Sequence, residues 1–366
     1  MAIDISGIHN DISLNLRRCT RCILPATYPR IDFDRNGVCN YCRSYKRIEY
    51  KTEHNFDQLL KNVHFHGNFD CVVPLSGGRD STFVLHQMVR RYGLNPVAYN
   101  YDNGFANPFA IQNMQKACSK LGVKFVRQSS RLHSFTRLLF LKINLKKSPL
   151  HFLSTLCFGC QNTIWGGAMK LAKKYSIPLI VSGESKIEDA EYKRIVSDEL
   201  QMNTQDKLKA ALRTPFLYSC GQCAKMLFCL RYPAKETAQK AVQTVRYFDY
   251  ARYDEKQFLT ALNEDLEWQS DKHTTWRFDC FIHNVILLMT YQLMGMTEWD
   301  DYCSLEIREG MMSRDAALER ISRFSDYRSQ SLPKLDEILY QMELNSSERG
   351  KILSFISQPP QIENRW

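Results

Sequence analysis

Short apolar runs bounded by turn residues alternate with segments whose apolar residues recur at helical spacing. Phe69-Asp70-Cys71-Val72-Val73-Pro74-Leu75 reads as a strand. The next segment carries Phe83, Val84, Met88 and Val89 at helical spacing, with Gly93 just past its end. A second strand is expected at Pro96–Tyr101, a helix at Pro108–Leu121 closed by Gly122, and a third strand at Val123–Val126. Residues 131–145 read as a basic helix. A helix from about Cys160 to Tyr175 leads into a fourth strand, Ile177–Gly183. Strands alternating with helices predict a parallel sheet wrapped by helices. After about residue 235 the strand signal disappears, and residues 236–300 and 313–356 keep helical spacing, with Ser313 as an N-cap. Residues 1–50 are cysteine-rich and poor in aliphatics, and residues 51–68 read as a linking helix and loop. The expectation is three parts: a small metal-dependent module at 1–50, an α/β domain at 51–235 and an all-helical domain at 236–366.

Composition narrows the class. The chain has 366 residues, 44% hydrophobic and 24% charged, an ordinary globular balance. The longest apolar run, around Val285–Met289, is far short of the ~18–20 residues of a membrane span. The N-terminal Met1-Ala2-Ile3-Asp4 has no basic-then-apolar signal pattern, so a cytoplasmic location is expected. The net charge of +10 favours anionic ligands such as nucleotides, nucleotide sugars or RNA without choosing among them. No basic block concentrates it, which argues against a nucleic-acid-binding arm.

Thirteen cysteines point to metal rather than disulfides in a reducing compartment. Eight form four C-x-x-C pairs: Cys19/Cys22, Cys39/Cys42, Cys157/Cys160 and Cys220/Cys223. The other five are Cys71, Cys118, Cys229, Cys280 and Cys303. The first two pairs read C-x2-C-x16-C-x2-C, the spacing of a zinc ribbon in which two knuckles close a structural tetrahedral Zn2+ site. Such a module has too few aliphatics for a core and takes folding energy from its metal. The second two pairs are further apart. They allow a second zinc site or a [4Fe-4S] cluster held by three cysteines.

Ser76-Gly77-Gly78-Arg79-Asp80-Ser81 follows the first strand and opens a helix. Two glycines permit close backbone approach, and successive N–H groups at the positive end of a helix dipole suit a pyrophosphate. Neither the Walker loop nor G-x-G-x-x-G is present. Asp102-Asn103-Gly104 lies at the carboxyl end of the second strand, where open α/β sheets bind ligands, and reads as a contact to adenosine or as a plain turn. Glu184, at the end of the fourth strand, is a candidate ligand for Mg2+ or substrate. Arg277 and His283 are read on one helix with Trp276, Phe278 and Phe281; the aromatics are read as packing and His283 as a core histidine.

The S-G-G-x-D-S loop resembles that of the PP-loop (HUP-like) ATP pyrophosphatases. The wider pattern resembles the N-acetyl sugar amidotransferases of surface-polysaccharide (lipopolysaccharide, O-antigen) gene clusters. The residues that carry it are Arg18-Cys19-Thr20-Arg21-Cys22, Gly37-Val38-Cys39-Asn40-Tyr41-Cys42, the 76–81 loop, and Ile177-Pro178-Leu179-Ile180 with Gly183-Glu184-Ser185, Glu188 and Tyr192. Ile307-Arg308-Glu309-Gly310 and Arg314-Asp315-Ala316-Ala317 extend it to the helical tail. The resemblance implies an ATP- and Mg2+-dependent enzyme that adenylates the acetamido oxygen of a nucleotide sugar and replaces it with ammonia, releasing AMP and pyrophosphate. A separate glutaminase and an ammonia-channel subunit would be its partners, since this chain shows no glutaminase motif. It also implies roles for Asp80, Ser81 and Glu184 in catalysis, and for Ser76, Gly77, Gly78, Arg79, Asp80, Ser81 and Asp102 around ATP.

One feature departs from that family. Cys157-Phe158-Gly159-Cys160 opens a helix and resembles the cluster-binding pair of PP-loop RNA thiolases, with Cys220 or Cys223 as the third ligand. The G-H-N-x-x-D stretch of those enzymes is here Gly183-Glu184-Ser185-Lys186-Ile187-Glu188. The alternative expectation is therefore ATP-dependent sulfur transfer. A zinc-dependent nucleic-acid-binding module without catalysis is the third class, and the intact glycine loop argues against it.

Overall fold

The computed structural model describes residues 16–157, 159–188, 191–200, 242–270, 277–358 and 360. In chain order the elements are α1 (Asn40–Arg43), α2 (Glu53–Asn62), β1 (Cys71–Pro74), α3 (Arg79–Arg90), β2 (Pro96–Asp102), α4 (Pro108–Leu121), β3 (Lys124–Ser129) and α5 (Arg131–Leu145). They continue with α6 (Pro149–Thr155), α7 (Cys160–Lys174), β4 (Leu179–Ser182), α8 (Glu191–Glu199), β5 (Gln243–Arg246) and α9 (Glu255–Leu266). Five helices close the chain: α10 (Ile282–Met294), α11 (Glu298–Glu309), α12 (Arg314–Ser322), α13 (Phe324–Gln341) and α14 (Ser346–Ser357).

The five strands form one sheet in the order β3-β2-β1-β4-β5, parallel throughout. The first three strands are laid down in one direction from β1 and the last two in the other. The order therefore reverses between β1 and β4, and a crevice opens there at the carboxyl ends. β1 and β4 are buried on both faces, which is why they read as continuous apolar runs rather than as alternation. β5 lies past residue 235, where no strand was expected. Its sequence, Gln-Thr-Val-Arg, carries one apolar side chain, and an edge strand with two exposed residues leaves little periodic signal.

Local signals set the helix ends. Asn107 caps α4 by accepting from Phe109 N, Pro108 occupies the first turn, and Gly122 closes it at φ +66°. Thr297 and Asp300 form a reciprocal capping box on α11, and Ser313 caps α12 through Ala316 N. One apolar core runs from the sheet and α3 (Val73, Leu85, Leu179) through α10 and α13 (Leu287, Leu335) to α14 (Ile352), so the helical tail packs directly on the sheet layer. No helix of the described residues is long and apolar enough to cross a membrane.

The cysteine module packs on a second cluster with Leu150, Tyr192, Val196, Met294 and Met296. Polar contacts fasten it to α11. Arg18 Nη1 reaches Asp300 Oδ1 at 2.5 Å, Tyr28 Oη donates to Asp301 Oδ1 at 3.0 Å, and Ile23 N donates to Ser304 Oγ at 3.2 Å.

Candidate functional site

The glycine loop lies where the strand order reverses. Leu75 N donates to Tyr99 O, and the chain then turns through Ser76 and Gly77 into α3. Ser76 N and Gly78 N are held inside the loop by Ser81 Oγ (3.1 Å) and Ser76 Oγ (3.2 Å). The N-cap of α3 is Gly78, whose position gives no side-chain cap to the first turn. The positive helix end therefore faces the crevice without a side-chain oxygen of its cap residue across it.

Gly77 is required for a reason beyond phosphate access. At φ +82° a side chain is strained, and a Cβ would stand 2.1 Å from Ala110 O of α4. Gly77→Val would therefore disturb the fold as well as the loop, because valine cannot enter without displacing α4. Gly183, at the end of β4, is equally constrained: its Cβ would lie 2.9 Å from Ser81 N and 3.0 Å from Asp80 O. The end of β4 thus presses on the first turn of α3.

Asp80 and Arg79 are both buried. Arg79 Nε bonds Asp80 Oδ1 at 2.7 Å, Arg79 Nη1 bonds Glu255 Oε1 at 2.5 Å, and Tyr253 Oη reaches both Asp80 oxygens at 3.0 Å. Arg79 also contacts the Tyr253 hydroxyl. Arg79 thus points into the protein and orders Asp80. Glu188 faces the same carboxylate. Burial, then the negative charge of Asp80, push its carboxyl well above the usual range, against the pull of Arg277. Arg277 lies 3.8 Å from Glu188 Oε2 and donates to Glu188 O at 3.1 Å. Glu188, Asp279 and Glu298 hold the Arg277 charge against burial. Asp279 Oδ2 would lie 3.6 Å from a Cβ on Gly78. Glu188, Arg277 and Asp279 therefore line the crevice beside the loop.

The other expected residues fall as follows. Asp102 Oδ1 accepts from Gly104 N at 3.0 Å, and Oδ2 pairs with Arg127 at 3.0 Å, so it shapes its own turn. Glu184 is partly exposed and accepts from Gln161 Nε2 at 3.2 Å. Arg277, Phe278 and Phe281 do not share a helix with His283, because α10 starts only at Ile282. Trp276 lies outside the described residues. His283 sits 4.0 Å from Glu298 Oε2, itself paired with Lys193, and burial lowers the histidine to about 4.

Cys19, Cys22, Cys39 and Cys42 come together. Their sulfurs lie within 4.8 Å of one another, with Cys19–Cys42 at 3.9 Å and Cys22–Cys39 at 3.8 Å. A tetrahedral ion with Zn–S bonds of ~2.3 Å separates its sulfurs by ~3.8 Å, so the residues fit a structural zinc. Backbone N–H groups of Arg21, Cys22 and Cys39 point at Cys19 Sγ, and Leu24 N points at Cys22 Sγ, which favours thiolate. Gly37, at φ +75°, forms the second knuckle's turn.

Cys157 and Cys160 open α7 at the ligand end of the sheet. Cys220 and Cys223, expected to join them, lie outside the described residues. A different cysteine is there. Asn103 Nδ2 donates to Cys280 Sγ at 3.3 Å. Arg137 donates to Asn103 O at 3.3 Å, and burial raises the Cys160 thiol against the pull of Arg137 and Asn103. Cys157 is exposed and close enough for its charge to act on both Cys160 and Cys280. Burial pushes Cys280 up to about 12. The three sulfurs are spread more widely than the N-terminal four, since among the described residues only the latter meet within 4.8 Å. As they stand, the three are not gathered around a single ion. Cys280 follows Asp279, so the trio adjoins the glycine loop. A lone cysteine in an apolar aromatic stretch carries no sequence signal for this role. It arrives through the bridge between Ala106 and Cys280 and the bond from Phe281 N to Phe105 O.

No family model matches the chain. It is 19% identical over 311 residues to an uncharacterized protein of Methanocaldococcus jannaschii, covering 84% of this chain and 93% of that protein. The solved structure of the U34-tRNA thiolase NcsA from Methanococcus maripaludis, with its [4Fe-4S] cluster, aligns over 90% of this chain and 89% of that one. The identity there is 12% and the TM-score 0.34, a likeness that establishes neither fold nor activity.

Proposed function

We propose that the protein is an AMP-forming, ATP-dependent enzyme of the PP-loop type. A substrate oxygen attacks the α-phosphorus of ATP. The bond from that phosphorus to the bridging oxygen breaks, pyrophosphate leaves, and the substrate oxygen carries AMP. A nucleophile then attacks the activated carbon and AMP departs with the oxygen. The chain's part is positioning and charge: the open first turn of α3 and the Ser76–Ser81 loop for the phosphates, Asp80 ordered by Arg79 and Tyr253, and Arg277 for developing negative charge.

Sulfur transfer is the completion this geometry supports best. The observation that carries it is Cys280, held by Asn103 and brought by the Ala106–Cys280 bridge to the side of the sheet where Cys157 and Cys160 open α7. A cluster bound there would supply a site for a sulfur nucleophile. The second reading is nitrogen transfer to a nucleotide-sugar amide with a separate glutaminase and ammonia channel. It rests on the family resemblance and on Glu184-Ser185, which stand where thiolases carry the H-N of G-H-N-x-x-D.

Iron, sulfide and zinc analysis of anaerobically purified protein tests the choice. Sulfur transfer predicts iron and sulfide that Cys280→Ser removes while about one zinc per chain remains. Iron-free protein, unchanged by Cys280→Ser, would leave nitrogen transfer. In either case AMP and pyrophosphate are the expected products, and ADP as the stoichiometric product would sink the PP-loop reading.

A further inference from the structure

Four thiolates around one divalent ion carry a net charge of two minus, and all four cysteines here are almost fully buried. A buried net charge is costly unless opposite charge or hydrogen-bond donors meet it. Backbone N–H groups meet two of the sulfurs, and arginines supply the positive charge around the knuckles. Arg314 of α12 donates through Nε to Cys22 O at 3.1 Å and through Nη2 to Cys19 O at 3.3 Å, gripping the first knuckle. Arg21 Nη1 donates to Cys42 O at 3.3 Å. Arg308 of α11 is buried, its guanidinium packs over the Tyr45 ring at 5.2 Å, and its Nε and Nη1 have no hydrogen-bond partner among the described residues. The groups that act most on its charge are Cys22, Asp301 and Cys42. Asp301 already accepts from Tyr28, and no ion pair links it to Arg308 among the described residues. A buried guanidinium with unpartnered donors, on the helix to which the cysteine module is fastened, has a negative centre as its natural partner.

The same two helices reach the glycine loop. Arg320, two turns along α12 from Arg314, spans Glu306 of α11 (3.4 Å) and Glu255 of α9 (3.3 Å). Glu255 is the residue that Arg79 grips at 2.5 Å, and Arg79 orders Asp80. Charge contacts thus run from Arg320 to Asp80, and α12 itself connects Arg320 to Arg314 at the cysteine knuckle.

We propose that Arg308 and Arg314 are the counter-charges of a four-thiolate metal centre, and that through α11 and α12 the centre fixes Arg320 and Glu255, hence Arg79 and Asp80. Arg308 and Arg314 are positioning residues. The metal does no chemistry, but it sets the geometry of the glycine loop between β1 and α3. Only the meaning of that loop geometry for ATP rests on the PP-loop reading; the metal behaviour does not.

Two measurements on the full-length zinc-loaded chain test this. The first is the rate of zinc release to a chromogenic chelator. Arg308→Met and Arg314→Met are each expected to release zinc about 10-fold faster or more, the size of effect seen when outer-shell partners of metal ligands are lost. Arg308→Lys, which keeps the charge, should restore most of the difference. Wild-type rates in both methionine variants, or no rescue by lysine at 308, overturn the counter-charge assignment. The second needs no variant. Amide hydrogen exchange is followed before and after the chelator strips zinc from the wild-type chain. Protection is expected to fall at 298–322 and at 79–82 while strand residues 96–102 keep theirs. Unchanged exchange at 79–82 overturns the link to the loop. A chain that makes no AMP yet behaves as expected in both measurements loses the ATP reading and keeps this one.

Discussion

At the scale of single residues, the crevice is governed by two facing carboxyl groups in unlike surroundings. Asp80 is held by Arg79 and by the Tyr253 hydroxyl, while Glu188 is partly buried and is pushed up by that burial and by Asp80. Asp80→Asn keeps the size but removes the charge that Arg79 and Tyr253 organise. AMP formation, read by chromatography of labelled ATP, is expected to fall about 100-fold or more, the scale of losing one preorganised electrostatic group. Far-UV circular dichroism should be unchanged. Glu188 predicts a pH dependence. Its carboxyl is raised in the fold, so the folded state binds the proton more tightly than the unfolded chain, whose value is ~4.3. Stability contributed by the neutral form is complete below that value and is lost as pH rises through the folded one. Glu188→Gln should flatten that decline in urea titrations across pH 4 to 8; an unchanged slope would count against the partly buried, neutral carboxyl.

At the scale of elements, the site depends on how closely β4, α3 and α4 approach. Gly183 touches the first turn of α3, and a methyl group there has no room. Gly183→Ala is expected to destabilise the chain by about 1–3 kcal/mol, as overpacking does. It should also weaken nucleotide binding, measured by calorimetry with a non-hydrolysable ATP analogue, because the strain falls on Ser81 and Asp80 themselves. A milder change tests the reach of the helical region. Trp268 Nε1 donates to Gly77 O at 3.1 Å, beside Asn113 Nδ2 at 3.2 Å. Trp268→Phe leaves that carbonyl one donor, so a loss of about 1 kcal/mol in thermal or urea unfolding is expected from the hydrogen bond.

At the scale of the whole molecule, the apolar core passes from the sheet into the terminal helices without a break, while the cysteine module sits on its own smaller cluster. The sheet layer and α10–α14 should therefore unfold together, and loss of metal from the module should reach them through α11, to which it is fastened. Cys39→Ser, which leaves three thiolates, is expected to lose zinc on gel filtration and to lower the midpoint of the transition. Equal zinc content in wild type and in a variant with all four cysteines replaced by serine would show that the site is not real.

Much of this was readable along the chain, for physical reasons that operate locally. A C-x2-C-x16-C-x2-C spacing fixes which sulfurs can meet around one ion. Doubly buried strands must be apolar on both faces, so β1, β2 and β4 stand out. Two glycines between a strand and a helix mark the loop, and Asn107-Pro108 and Gly122 mark α4. The tertiary structure decided what depends on residues far apart in sequence meeting. Cys280 reaches the side of the sheet where Cys157 and Cys160 open α7 only because residues 105 and 106 pair with 280 and 281. Arg277 finds Glu188, Tyr253 finds Asp80, and Arg308 and Arg314 find the cysteine knuckles across more than sixty residues each. No periodicity records such meetings. A single charged or thiol side chain has the same local sequence whether it faces water or a buried partner, and only the packing of the elements tells the two apart.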